Sequence, residues 1–181
     1  MQEVLVRGYL YQMIKNNYNI VVAVLISTGL FTFAHGGAFE AGILPVLNVI
    51  TMSLFVTAVL EYTESLVAPI IIHFLWNGVG AIILGGVSLA EDYPHLFNMV
   101  ISGNSILSGG SCKIEGSIVV LFMNLILMFG FVMAKKKRDK NLKFQFYCTF
   151  LIRDTLCPEL NWSHYRVLMR INDEKAITNA M

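Results

Sequence analysis

A chain of 181 residues with a mean hydropathy of +0.64 and only 14% charged residues is far poorer in charge than a soluble domain, where about a quarter of residues are charged. Its formal net charge of +1 gives no electrostatic footprint for nucleic acid. The charge is also unevenly placed: no Lys or Arg occurs in the 97 residues from Asn16 to Cys112, and that stretch holds five acids, Glu40, Glu61, Glu64, Glu91 and Asp92. A bilayer excludes charge and demands that backbone polar groups bond internally. The expected fold is all-α, a polytopic transmembrane bundle of four to five membrane helices whose first partner is the lipid bilayer.

The first element is "MQEVLVRGYLYQMIKNN", with Val4, Leu5, Tyr9, Leu10, Tyr11 and Met13 giving it a broad apolar surface. It predicts a helix that ends near "KNNYN" and folds back as a hairpin on the segment Ile20–His35. Two helices of similar length joined by a tight turn bring the start of one level with the end of the other, so Glu3 and His35 are expected at comparable depth.

Four segments then answer to the ~20 apolar residues that a spanning helix needs: Ile20–His35, Ile43–Leu60, Leu66–Leu89 and Ser117–Ala134. A kink is expected near Pro69 in the third. Short breaks "GGAFEAG" and "EYTES" separate the first three. The longer "AEDYPHLFNMVISGNSILSGGSCKIEG", with Pro94 and a Gly/Ser turn cluster, reads as a re-entrant or surface connection. "KKKRDK" (Lys135–Lys140) follows the last span and places the C-terminus on the cytoplasmic side. Residues 1–140 are read as the membrane domain and 141–181 as a cytoplasmic tail of unknown fold. Cys112, Cys148 and Cys157 form neither a metal-ligand spacing nor a disulfide framework.

Ionisable residues within spans are costly and rare, so each is a functional candidate. The bland account is that a single intramembrane histidine bridges two helices by a hydrogen bond. The constellation argues for more. Glu3 and Arg7, Phe31 and His35, and His73 and Asn77 each stand four apart, the spacing that shares a helix face. Amide hydrolysis needs a base to activate water and donors to hold the developing oxyanion. Glu or His supplies the first, and His or Asn the second, with no metal or other cofactor. Zinc at His35 and His73 with Glu3 is the weaker alternative, since HExxH is absent and no ligand spacing is diagnostic. Two facing histidines would also suit haem. A small transporter or channel subunit would instead spread polar residues along one pore face.

"QEVLVRGYL", "FTFAH" and "HFLWN", in that order and separation, resemble the motifs EExxxR, FxxxH and HxxxN/D of the CPBP (or ABI) family of intramembrane proteases, the CAAX-protease and bacteriocin-processing group. "AVLEYTESLVAPIIIHFLWN" and "LSGGSCKIEGS" resemble the family's usual surroundings, bacterial members included. The similarity covers about residues 2–137. It implies an integral membrane endopeptidase, in a bacterial cell membrane, acting on a membrane-associated peptide or prenylated-protein-like substrate. It also implies roles: His35 orients or activates water, His73 and Asn77 stabilise the oxyanion, Glu3 and Arg7 organise the site as a pair, and Phe31 packs the histidine.

Two departures bear on activity. Gln2 stands where the family's motif has its first glutamate, the carboxylate that the resemblance implies works with His35 on water. Family members also carry several spans before this motif, so an N-terminally truncated chain of little activity is expected. The alternative function is a catalytically impaired relative that binds peptides or proteins in the membrane, as in bacteriocin self-immunity.

Overall fold

The computed structural model describes residues 2–87 and 94–156, with the backbone alone for 144–156. Among these residues all regular structure is helical. The N-terminal helix winds as a π-helix over Val4–Tyr11 and continues as α1 (Gln12–Asn17). α2 (Ile20–Ala34) follows after a short turn, capped by Asn19, whose side chain accepts from the backbone N–H of Val22 at 2.9 Å. Such a cap satisfies a donor that the first turn leaves without a helical partner. Tyr11, Ile14, Ala23 and Leu60 share one buried cluster, so the expected hairpin forms and closes on the helix that comes next but one.

α3 (Gly37–Ala41) is a single turn ended by Gly42 at φ +121°, a backbone setting that glycine adopts at little cost. α4 (Ile43–Thr63) is the central helix. Phe31, Ala38 and Val49 fill one cluster along it, and Phe55, Val56 and Val59 fill another. α5 (Val67–Asn77) runs on as a π-helix over Gly78–Ile83. The sequence led us to expect a kink at Pro69, and the structure corrects this. Pro69 is the third residue of α5, in the first turn, where its missing N–H costs no helical bond.

The long connection turns back on the end of this helix. Leu96 and Phe97 donate their N–H groups to the carbonyls of Ile82 and Ile83, and Ile114 donates to Gly86. It holds the single turn α6 (Ser105–Ser108) and a 3₁₀ segment, Gly110–Gly116. α7 (Ile118–Leu156) takes in the expected fourth span and continues through the basic cluster into the tail. The remainder of the tail, from residue 157, and the last part of the expected third span, residues 88 and 89, lie outside the described residues. The chain divides into two compact units at Ala134/Lys135.

Among the described residues, two helical runs are long and apolar enough to cross a membrane, Ile43–Thr63 and Gly110–Lys143, while Ile20–Ala34 and Val67–Ile83 are apolar but shorter. α2 has 15 residues, about 22 Å at 1.5 Å per residue, against a hydrocarbon core of ~30 Å. It stops short because the backbone leaves the helix at His35 (φ −100°, ψ 52°). The helix end that limits its length is thus the one that presents a site residue.

Candidate active site

Three elements bring the polar residues together. Glu3 opens the N-terminal helix, His35 ends α2, and His73 stands in α5. Glu3 Oε1 accepts from Arg7 Nη1 at 2.9 Å and from His73 Nδ1 at 2.7 Å. Glu3 is 4% exposed and Arg7 is fully buried. Arg7 is held from behind by α4, since its Nη2 donates to the Ser53 hydroxyl at 2.6 Å and to the Ser53 carbonyl at 3.2 Å. The Ser53 hydroxyl in turn donates to Thr28 Oγ1 at 3.3 Å. A buried guanidinium needs partners for its donors; Nη1 and Nη2 find them in Glu3 and Ser53, which fixes the Glu3–Arg7 pair in one orientation, while Nε is buried without one.

Gly8 allows the N-terminal helix to come this close to the start of α5. A Cβ at Gly8 would lie 2.9 Å from the Leu66 side chain. That atom is a terminal methyl of Leu66, so a small side chain at position 8 would ask the leucine to shift.

Phe31 organises the histidines. Its ring lies 4.1 Å beneath the Arg7 guanidinium carbon, a cation–π contact. The same ring is 4.4 Å from the His35 ring and 5.6 Å from the His73 ring, and the two imidazole centroids are 6.1 Å apart. His35 Nδ1 bonds to the Phe31 carbonyl at 2.8 Å. A carbonyl only accepts, so Nδ1 carries the proton and Nε2 is left as the basic nitrogen. The Gln2 side-chain nitrogen stands 3.5 Å from this same Nδ1, whose proton is already committed, so the amide packs against the ring and takes no proton from it.

His35, His73 and Asn77 line one cavity of about 40 Å³, together with Asn48, Trp76 and Glu115. That is room for about three waters at ~10–15 Å³ each. Asn77 follows His73 by one helical turn and its side chain is hydrogen-bonded to no other described residue, which leaves its amide for a bound group. The structure therefore brings all five sequence-predicted residues, Glu3, Arg7, His35, His73 and Asn77, into one neighbourhood. Glu3 and Arg7 stand behind His73, and the other three face the cavity. His35 and His73 are the pair that would hold a zinc ion. Among the described residues no third His, Cys, Asp or Glu joins them in a metal-sized group.

Sequence reasoning missed Ser53, Thr28 and the far wall of the cavity. On that wall Asn48 Nδ2 donates to the backbone carbonyls of Glu115 (2.7 Å) and Ser117 (3.0 Å), and Trp76 Nε1 donates to Glu115 Oε1 at 3.4 Å. A signal was available. Ser53, Thr57 and Glu61 recur every four residues on α4, and Arg7, Tyr11 and Lys15 recur every four on the N-terminal helix. Arg7 bonds Ser53, Tyr11 donates to Glu61 at 2.9 Å, and Lys15 pairs with the same carboxylate. Matched polar spacings on two greasy helices announce which faces meet.

Residues 1–79 match the family model described as "Rce1-like: Type II CAAX prenyl endopeptidase Rce1-like". The match takes in Glu3, Arg7, His35, His73 and Asn77 and ends before Glu115. No curated protein and no solved structure matches the chain.

Proposed function

We propose, from the membership of residues 1–79 in the Rce1-like family of type II CAAX prenyl endopeptidases, that this membrane protein cleaves a peptide bond of a membrane-associated substrate at the cavity between His35 and His73. In this reading α4 and α7 cross the bilayer, the shorter apolar helices α2 and α5 lie within it, and the N-terminal helix packs among them. The observation that carries the reading is the Glu3–His73 contact of 2.7 Å, backed by Arg7, beside a second histidine 6.1 Å away.

Each histidine has its Nδ1 assigned and its Nε2 left for chemistry. His35, with Nδ1–H on the Phe31 carbonyl, accepts a hydrogen bond from water through Nε2 and aims its oxygen. His73 gives Nδ1–H to Glu3, which fixes its ring with Nε2 turned to the carbonyl oxygen of the scissile bond, where negative charge develops. Asn77 adds an amide donor there. Losing one donor to a developing oxyanion typically costs ~10²–10³ in rate. Glu3 and Arg7 act through His73 by fixing its ring.

The test is cleavage of a prenylated peptide by the whole chain reconstituted in liposomes, beside His35→Ala and His73→Ala, with and without a chelator. Cleavage that either substitution abolishes, and that the chelator leaves intact, supports the reading. Cleavage that persists in both variants sinks it, and loss on chelation restored by zinc turns it into a metalloprotease.

A second reading is favoured by one residue. An amide at Gln2, beside His35, has no basicity to offer water. A chain that binds a peptide in the same cavity without cutting it, in a self-immunity role for example, fits that substitution. Retention of the prenylated peptide by liposomes, with no product and with loss on His73→Ala, would select this reading.

A further inference from the structure

We propose that Glu115 is the group that takes the proton from the attacking water. The proposal rests on the hydrolytic reading above and names the base it lacks. Glu115 is the one acid among the described residues that line the cavity. Glu3 is not among the residues that line the cavity; its Oε1 is shared between Arg7 and the imidazole and its Oε2 is buried without a partner, so it serves the ring. The cavity, which Glu115 lines together with His35 and His73, has room for about three waters, and the proposal places the attacking water within one water of the Glu115 carboxylate. That is the reach required of a general base, which acts directly or through one water.

The chain invests heavily in placing this carboxylate. Glu115 is 9% exposed although it belongs to a connection. Asn48, from the central helix, clamps the carbonyls on either side of Gly116 through one Nδ2. Trp76, between His73 and Asn77 in sequence, donates its indole N–H to the carboxylate itself. Ile114 N–H is tied to the Gly86 carbonyl and Cys112 N–H to Gly109. The turn that allows this is possible only at Gly109, where φ is +87° and a Cβ would sit 1.5 Å from the Lys113 carbonyl oxygen. Lys113 itself is held at φ 52°, which is strained for a residue with a side chain. Strain fixed by surrounding bonds at the wall of a polar cavity is a pattern of functional sites.

In the step proposed, one water O–H bond breaks as the oxygen bonds to the scissile carbonyl carbon. The proton goes to a Glu115 carboxylate oxygen. The carbonyl π pair moves to its oxygen, held by His73 and Asn77. The C–N bond then breaks and the Glu115 proton passes to the leaving nitrogen, which restores the carboxylate.

Glu115→Gln removes the basicity while the glutamine oxygen still accepts from Trp76. The experiment compares wild type, Glu115→Gln, Glu115→Asp and Gln2→Glu on the liposome-reconstituted whole chain, with melting temperature followed beside cleavage. We expect Glu115→Gln to lower kcat by ~10²–10⁴ at an unchanged melting temperature and little change in KM. Glu115→Asp, which keeps a carboxylate, should retain more of the rate than Gln at equal or lower stability. Should Glu115→Gln unfold, an Asp variant no faster than a Glu115→Ala variant of equal melting temperature would overturn the proposal, and a faster one would support it. A Glu115→Gln variant as fast as wild type, while His35→Ala is inactive, overturns the base and keeps the protease. A wild type that is silent until Gln2→Glu is introduced does the same and returns the role to position 2. No cleavage in any form overturns both.

Discussion

Two helical runs of this chain are almost equally apolar and are used in opposite ways. The most apolar 18-residue stretch of α4 has a mean hydropathy of 2.2 and that of the run Gly110–Lys143 has 2.5, yet 61% of the first stretch is buried inside the protein and 11% of the second. The difference lies in their polar residues. α4 buries Asn48, Thr51, Ser53, Thr57 and Glu61, and each takes part in a hydrogen bond. The apolar part of α7 has Asn124, turned to the backbone carbonyl of Asn48 and the hydroxyl of Thr51 at 3.5 Å each. It leaves Phe122, Met123, Ile126 and Phe129 more than half exposed, the kind of apolar surface that marks a membrane-facing side. Hydropathy tells that a helix suits lipid. The spacing of its polar groups tells on which sides protein lies, since a polar group turned to lipid would have no partner to bond.

If α4 is the post to which the site is tied, the largest effect comes from cutting the tie at Arg7. Arg7→Leu leaves the Glu3 carboxylate buried without its cation. Removing one partner of a buried pair typically costs ~3–5 kcal/mol, and thermal unfolding in detergent should show a loss of this size. Glu3→Gln combined with Arg7→Leu removes both charges and should be milder than Arg7→Leu alone. A single variant within about 1 kcal/mol of wild type would mean that the pair is not what holds the N-terminal helix.

A smaller effect is expected one level along the same ladder. Glu61→Ala takes the acceptor from Tyr11, which is completely buried, and from Lys15, whose side chain is one-third exposed. Leaving a buried hydroxyl unmet costs ~1–3 kcal/mol, whereas Lys15 can turn its ammonium to water. Glu61→Gln keeps an acceptor for Tyr11 and should lose less than Glu61→Ala in the same unfolding assay. Equal losses would shift the weight of the contact from Tyr11 to the charge of Lys15.

The site was legible in the sequence to the extent that it is local. Glu3 with Arg7 and His73 with Asn77 are spaced by one helical turn, and the hairpin that sets Glu3 level with the end of α2 follows from the short turn at Asn17–Asn19. The far wall was not legible, because Glu115 reaches the cavity through a connection whose path is set by Gly109, Asn48 and Trp76, and such long-range bonds leave no period behind. The third helix was misjudged near Pro69 because a proline in a first turn and one in a helix interior look alike until the start of the helix is known. The length of α7 escaped for a related reason. Its charged part has no apolar stripe, so nothing in the pattern after Ala134 marked the helix as continuing.

The smallest effects fall on α7, and they sharpen the comparison most. Phe131 faces inward, with its ring 6.0 Å from Phe55 and 5.5 Å, edge-on, from Tyr62. Phe129, two residues away, is 62% exposed. Truncating either to alanine removes the same side chain, and in a membrane the lipid-facing ring gains nothing from water exclusion, so the two should differ by packing alone. Aromatic pairs of this geometry are worth ~0.5–1.5 kcal/mol beyond their buried area. A double-mutant cycle on Phe55→Ala and Phe131→Ala should return a coupling in that range, while Phe55→Ala with Phe129→Ala should be additive within ~0.5 kcal/mol. Unfolding in lipid-like bicelles is the measurement, because detergent can wet the outward face. Should Phe129→Ala alone prove as costly as Phe131→Ala, the outward face of α7 is packed against protein in the membrane, and the contrast between the two runs is one of partners and not of burial.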